Sequence, residues 1–321
     1  MKRRDFSTLV VTVAAVWPMT GLAQSGRMPR VGILMLGTPD PVPFLTQFKE
    51  GMRELGYVEG RNVAFELRSA KGSIDQLHVL ARELVTLKVD MIVGFQTPAV
   101  MAAKQATTEI PVVMGAAGDP VGTGLVASLA HPGGNVTGMA GAGAELAAKL
   151  LELIRQLQPT IQHLSLLANV PDPFHKLFVR HVESAAPSVG LKIRTRLLQS
   201  PAELDNAIAQ SASDGAQAIL VQPSLPIRRA AQTALKHRLP AYSPNQSFVA
   251  MGGLASHSAD QPAMYRRSAT YVDQILKGRK PADLPVQQPT KYLIVINLKT
   301  AAALGVVPPP ALLMRADQVI E

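Results

Sequence analysis

VGILMLGTPDP, residues Val31–Pro41, and HLSLLANVPDP, residues His163–Pro173, align without a gap and end on the same Pro-Asp-Pro. Each opens with the short apolar run of a fully buried strand. Each is followed by an amphipathic helix, a glycine (Gly56 or Gly190) and a β-rich stretch. A further helix, Gln76–Leu87 or Ala202–Ala212, leads into an apolar strand, Met91–Phe95 or Ala218–Val221. In the first half, Phe44, Phe48, Met52 and Leu55 mark one helical face and Leu77, Leu80, Leu84 and Leu87 another. Strands are expected at Val31–Leu36, Val63–Leu67 and Val112–Gly115, with a helix starting near Pro98. Strands alternating with helical segments make βαβ units and a parallel sheet. The duplicated order therefore predicts an α/β protein of two similar Rossmann-like lobes.

The chain has 321 residues, 47% of them hydrophobic and 17% charged, which suits two cores better than one. No apolar run of eighteen residues follows the first thirty, so a membrane-spanning helix is not expected. The N-terminus has the three-part layout of a secretory signal: Lys2-Arg3-Arg4, an apolar stretch from Leu9 to Val16, and small residues at Gly21 and Ala23. Cleavage after Ala23 and a periplasmic location are expected, with residues 24–29 as a short linker. Arg3-Arg4-Asp5-Phe6 also resembles a twin-arginine export motif, with a generic basic start as the alternative. The sole tryptophan, Trp17, lies in this signal. The absence of cysteine rules out a cysteine-linked lipid anchor, disulfides and thiol catalysis. Loss of Lys2, Arg3, Arg4 and Asp5 lowers the formal charge from +9 to +7. Basic residues are scattered in the mature chain, with no run longer than Arg228-Arg229 or Arg266-Arg267, so no nucleic-acid partner is expected.

In open α/β sheets, ligands bind outside the carboxyl ends of the strands. Two such lobes face each other across a cleft that a hinge can close. Several strand-to-helix junctions carry a capping residue followed by proline: Asp40-Pro41, Thr97-Pro98, Asp119-Pro120, Asp172-Pro173 and Ser200-Pro201. Capping alone accounts for them, since Asp, Ser and Thr satisfy free N–H groups and proline suits the first helical position. A functional role adds to capping: helix N-termini suit a carboxylate, Thr97 supplies a hydroxyl, and Asp119 or Asp172 suits an ammonium. Together these make a zwitterion site.

Gly122-Thr123-Gly124-Leu125-Val126-Ala127 fits the dinucleotide pattern G-x-G-x-x-A. It lies at the fourth βα junction, and six residues separate Gly122 from the strand end at Gly115. The pattern requires the first glycine directly after the first strand. Asp119-Pro120 instead reads as a capped start of a short helix, and Gly133-Gly134-Asn135 as the turn after it. The seven histidines show no metal-binding spacing, and no G-x-S-x-G elbow or well-placed carboxylate pair occurs. No cofactor, metal or catalytic residue is expected.

Four blocks resemble the ABC-transporter substrate-binding proteins of the group that includes tryptophan- and tyrosine-binding members. They are ELGYVEGRNV (Glu54–Val63), GDPVGTGLVASLAHPGGNVTG (Gly118–Gly138), LKHRLPA (Leu235–Ala241) and RRSATYVDQILKGRKPADLPVQQPTKYLIVINLKTAAALG (Arg266–Gly305). The likeness runs from about Arg30 to Glu321. It implies a type I-like periplasmic-binding fold whose lobes are joined by three crossings, near Gly138–Gly143, His257–Gln261 and Pro285–Pro289. Lobe 1 would comprise 30–140 plus about 259–285, and lobe 2 would comprise 141–258 plus about 286–321. The ligand would touch Thr38, Asp40, Thr97, Asp119, Asn169 and Asp172, with Ser224, Asn245 and Ser258 added from the second lobe and the crossings. The implied partners are one small molecule, an amino acid or small carboxylate favoured, and a membrane permease with its ATPase; the protein is expected to be a monomer.

Two departures stand out. Members of the group often have an aromatic residue before Asn-Pro, where this chain has Ala168-Asn169-Val170-Pro171. They also often show Ser-Tyr-Gly where it has Ser256-His257-Ser258. Both remove aromatic surface from the expected cleft and count against an aromatic ligand. The alternatives to a transport receptor are a two-lobed nucleotide-sugar enzyme and a ligand-sensing module for a membrane receptor.

Overall fold

The computed structural model describes residues 27–37, 43–141 and 144–321. The signal segment with Trp17, the residues Thr38 and Asp40, and positions 142–143 at the first crossing lie outside the described residues.

The first sheet is built from β1 (Arg30–Met35), β2 (Ala64–Ser69), β3 (Met91–Phe95), β4 (Val112–Gly118) and β5 (Val136–Gly141). Its order is β2-β1-β3-β4-β5 and every pairing is parallel. The helices α1 (Pro43–Glu54), α2 (Ile74–Thr86) and α3 (Thr97–Ala106) connect the first four strands. β3 is buried at every residue and β1 at all but the first. Strands covered on both faces have to read as continuous apolar runs, which is why Val31–Leu36 and Met91–Phe95 are recognisable in the sequence.

After the first crossing the plan repeats. The elements are α4 (Ala144–Leu157), β6 (His163–Asn169), α5 (His175–Ala185), β7 (Lys192–Leu198), α6 (Leu204–Ser213), β8 (Ala218–Val221), α7 (Ile227–Lys236), β9 (Ala241–Tyr242), α8 (Gln246–Ala250) and β10 (Ala255–Ala259). The chain then returns to the first lobe as α9 (Gln261–Leu276). It crosses once more to β11 (Tyr292–Asn297), α10 (Leu298–Leu304), α11 (Pro310–Arg315) and β12 (Gln318–Ile320). The second sheet runs β12-β11-β10-β9-β8-β6-β7, with β10 and β11 antiparallel. Its β7-β6-β8-β9-β10 portion repeats the order β2-β1-β3-β4-β5, so the internal likeness in sequence is an internal likeness in fold.

Each sheet carries an apolar core on both faces. In lobe 1 these centre on Leu34, Leu77 and Ile92, and on Ile33, Phe48 and Val93. In lobe 2 they centre on Leu164, Ile154 and Tyr242, and on Leu167, Ile208 and Val221. The return helix α9 packs on α1, β4 and β5. It approaches α1 closely at Gly51, where an added Cβ would stand 2.5 Å from the carbonyl oxygen of Arg266. Beyond α9, Gln287 still bonds with β5: its N–H donates to Gly138 O, and its carbonyl accepts from Ala140.

Three local expectations change. β4 continues to Gly118 instead of stopping at Gly115, which carries the strand to the cleft edge. Asp119-Pro120 opens a run of turns, not a helix: Thr123 N–H bonds to Asp119 O, and Gly124 at φ 74° ends the run after little more than one turn. Before α6, a 3-10 turn over Pro201–Glu203 replaces its expected first residues, and Ser200 makes no side-chain cap bond.

Candidate functional site

The carboxyl ends of the two sheets face each other, and a partly open cavity of about 130 Å³ lies between them. Lobe 1 contributes Gln96 and Thr97 after β3, Gly118 at the end of β4, and Met264 and Tyr265 from α9. Lobe 2 contributes Asp172 and Phe174 after β6, and Gln222 and Ser224 after β8. Gln96, Gln261 and Tyr265 also line a larger outer cleft that reaches Asn169 and Asn245.

Asp172 dominates the electrostatics. It is 3% exposed, and no lysine or arginine stands among the described residues lining the cavity. One carboxylate oxygen accepts the Phe174 N–H at 2.9 Å and the other accepts Gln222 Nε2 at 2.7 Å. Burial raises its pKa above the ordinary carboxylate value, while hydrogen bonds from Ser224, Phe174 and Gln222 and the nearby His175 oppose the shift. The same glutamine accepts the Asn169 N–H through Oε1 at 2.8 Å. Asn169 Nδ2 leans on Ser224 Oγ at 3.3 Å, and Asn169 Oδ1 is buried with no donor. Asn169, Asp172, Gln222 and Ser224 thus form one buried network with acceptor capacity left over. A buried carboxylate without a cation is costly unless a ligand supplies the charge.

The predicted site residues separate into groups. Thr97, Asp172 and Ser224 meet on the cavity, whereas Asn169 and Asn245 face the outer cleft. Thr97 Oγ1 also accepts the Gly118 N–H at 2.9 Å, tying α3 to β4. Asn245 caps α8 by accepting from Ser247 N–H. Asp119 is outside the cavity lining; at φ 34° it accepts the Gly122 N–H through Oδ1 at 2.9 Å. Ser258 Oγ is buried without a partner on β10 and lines neither part of the cleft.

Sequence reasoning passed over Gln96, Gln222 and the aromatic wall. Both glutamines directly follow strands, so the strand-end rule that selected Thr97 and Asp172 reaches them too. Gln96 adopts φ 70° and ψ 155°, a conformation that strains a non-glycine residue. Its Nε2 crosses the cleft to Pro223 O at 3.2 Å. Phe44 stacks on Phe95 with ring centroids 3.8 Å apart, and Tyr265 meets both edge-on at 5.6 Å. With Phe174 opposite, these rings restore the aromatic surface whose loss was inferred from Ala168 and His257. Burial pushes the Tyr265 hydroxyl pKa up, so the phenol stays neutral. No periodicity could have placed Tyr265 here, because the chain reaches α9 only after passing through lobe 2.

Known proteins agree with this geometry. The family model for ABC transporter substrate binding proteins matches residues 44–320. A tyrosine-binding protein of Clostridioides difficile (strain R20291) is 28% identical over 327 aligned residues, covering 94% of this chain and 92% of that protein. Among solved structures, the ABC domain in complex with L-Trp from Streptococcus pneumonia is 30% identical. It covers 92% of this chain and 100% of its own, with a TM-score of 0.85. A conserved domain protein from Vibrio cholerae is 27% identical over 91% of this chain and 100% of its own, also with a TM-score of 0.85. Two duplicated α/β lobes closing on one cavity, and a family match over most of the length, lead to one assignment: the chain belongs to the ABC transporter substrate-binding protein family.

Proposed function

We propose that this protein captures an L-amino acid with an apolar side chain, aromatic ones included, and delivers it to a membrane permease and its ATPase. The carrying observation is Asp172, a buried carboxylate on an otherwise largely apolar cavity with no lysine or arginine among its described lining residues. An α-ammonium supplies the missing charge and hydrogen-bond donors for the Asp172 carboxylate. The first turn of α3, beginning at Thr97 on the cavity wall, offers backbone N–H donors to the carboxylate. Phe174 and Tyr265 receive the side chain. A carboxylate lacking an amine would meet Asp172 as a like charge, so amino acids displace simple carboxylates as the favoured class. The relatives named for tyrosine and L-Trp make aromatic amino acids the first ligands to try.

The N-terminal segment reads as an export signal, so the working compartment is the periplasm. The protein would act as a monomer there, closing by population shift when the ligand bridges both lobes. No helix among the described residues is long and apolar enough to cross a membrane.

The test is a thermal-shift screen of the chain lacking residues 1–23 against amino acids, amine-free carboxylates, sugars and nucleotides. A ligand at a hundred times its Kd adds about 2.7 kcal/mol of stability. Apolar L-amino acids should give the largest shifts. A strongest response from a sugar, a nucleotide-sugar or an amine-free acid sinks the proposal.

A further inference from the structure

The stretch Gly118–Gly124, whose glycines suggested a nucleotide loop, has no role in the ligand contacts beyond Gly118 itself, yet the other lobe packs directly on it. A Cβ added at Gly118 would stand 2.6 Å from Phe174 Cδ1 and 2.7 Å from its Cε1. One added at Gly122 would stand 2.9 Å from Leu177 Cδ1 and would also collide with the Asp119 carboxylate. Neither glycine has a left-handed φ, so the backbone there is open to any residue. What these positions supply is room.

We infer that Gly118 and Gly122 form a side-chain-free seat on lobe 1 that receives Phe174 and Leu177 of lobe 2, and that this seat is the latch of the closed form. The inference rests on the solute-trap reading and adds a device by which an occupant holds the trap shut. Phe174 connects latch and ligand: its ring lines the cavity, and its N–H is held by Asp172 Oδ1. A ligand anchored on Asp172 and packed against the ring therefore fixes Phe174 in the position that fits the glycines. Leu177 lies one turn further along α5 and does not line the cavity, so its contribution passes through the contact between lobes alone.

Small-angle scattering of the chain lacking residues 1–23, titrated with an equimolar mixture of the twenty L-amino acids, tests this. The wild type should compact on titration. Gly118→Ala should keep its unliganded melting temperature yet need about tenfold or more of the mixture to compact, because a methyl forced into a filled contact is costly. Leu177→Ala should need a few-fold more, and because Gly118 also lines the cavity while Leu177 does not, Leu177→Ala carries the decision. Compaction of the variants at the wild-type midpoint overturns the latch while leaving the solute trap standing. A wild type that binds nothing and does not compact overturns both.

Discussion

Two Asp-Pro loops occupy facing positions across the cleft, Gly118–Gly122 on lobe 1 and Asn169–Phe174 on lobe 2, and their aspartates have opposite fates. Asp119 turns its carboxylate onto its own loop, where it accepts the Gly122 N–H, and stays half-buried outside the cavity lining. Asp172 also serves the local backbone, through Phe174 N–H, but its carboxylate is enclosed on the cavity wall. The same dipeptide thus yields a turn brace in one lobe and a buried carboxylate on the cavity wall in the other. The difference lies in the neighbouring side chains: small residues let the first loop curl on itself, whereas Phe174, Gln222 and Ser224 bury the second aspartate.

The largest expected effect separates the two aspartates directly. Asp172→Asn should lower amino-acid affinity by about 2–5 kcal/mol in calorimetry, the usual cost of removing one partner from a buried charge pair. Asp119→Ala should instead leave affinity within about threefold while lowering denaturant stability by about 1–2 kcal/mol, through the lost cap and a strained alanine at φ 34°. Equal losses of affinity in both variants would erase the contrast.

The pH dependence tests Asp172 in a second way. Burial raises the folded pKa of Asp172 above its unfolded value, so in that window the native state holds the extra proton. Its contribution to unliganded stability is therefore present at acid pH and lost as pH rises from about 3.8 through the raised value. Asp172→Asn should flatten this part of the profile in chemical denaturation. An amine ligand, stabilising the ionised form, should do the same in the wild type and release a proton where the group is still protonated.

The smallest effect concerns Gln96. Gln96→Gly removes both the φ 70° strain and the bond to Pro223 O. Unliganded stability should stay within about 1 kcal/mol, because relieved strain and the added freedom of glycine in the unfolded chain offset each other. Affinity should fall several-fold, measured by titration, because a contact of the closed state is lost.

Most of the fold was legible because burial writes itself into sequence. β3 and β8 are apolar throughout and β1 is from Val31 on, and the gapless match of Val31–Pro41 with His163–Pro173 reappears as matching strand orders. The strand-end rule also reached Thr97 and Asp172, while Ser224 came from the family resemblance. It could not rank Asp119 against Asp172, since their burial is set by side chains from other elements. Nor could it foresee Tyr265 or the Phe44–Phe95 stack, which depend on where α9 and α1 lie in space. The glycine loop could be set aside as a phosphate cradle from its position in the chain, but its packing could not be read there: Phe174 and Leu177 of the other lobe fill the room it leaves.

The decisive experiment is a calorimetric titration of the mature chain with the amino acid that gives the largest thermal shift, beside its amine-free analogue. If Asp172 is the ammonium anchor, the analogue binds at least about a hundredfold more weakly, a loss of about 2.7 kcal/mol, and the gap closes in Asp172→Asn. Equal binding of the two ligands by the wild type would rule out an ammonium anchor at Asp172.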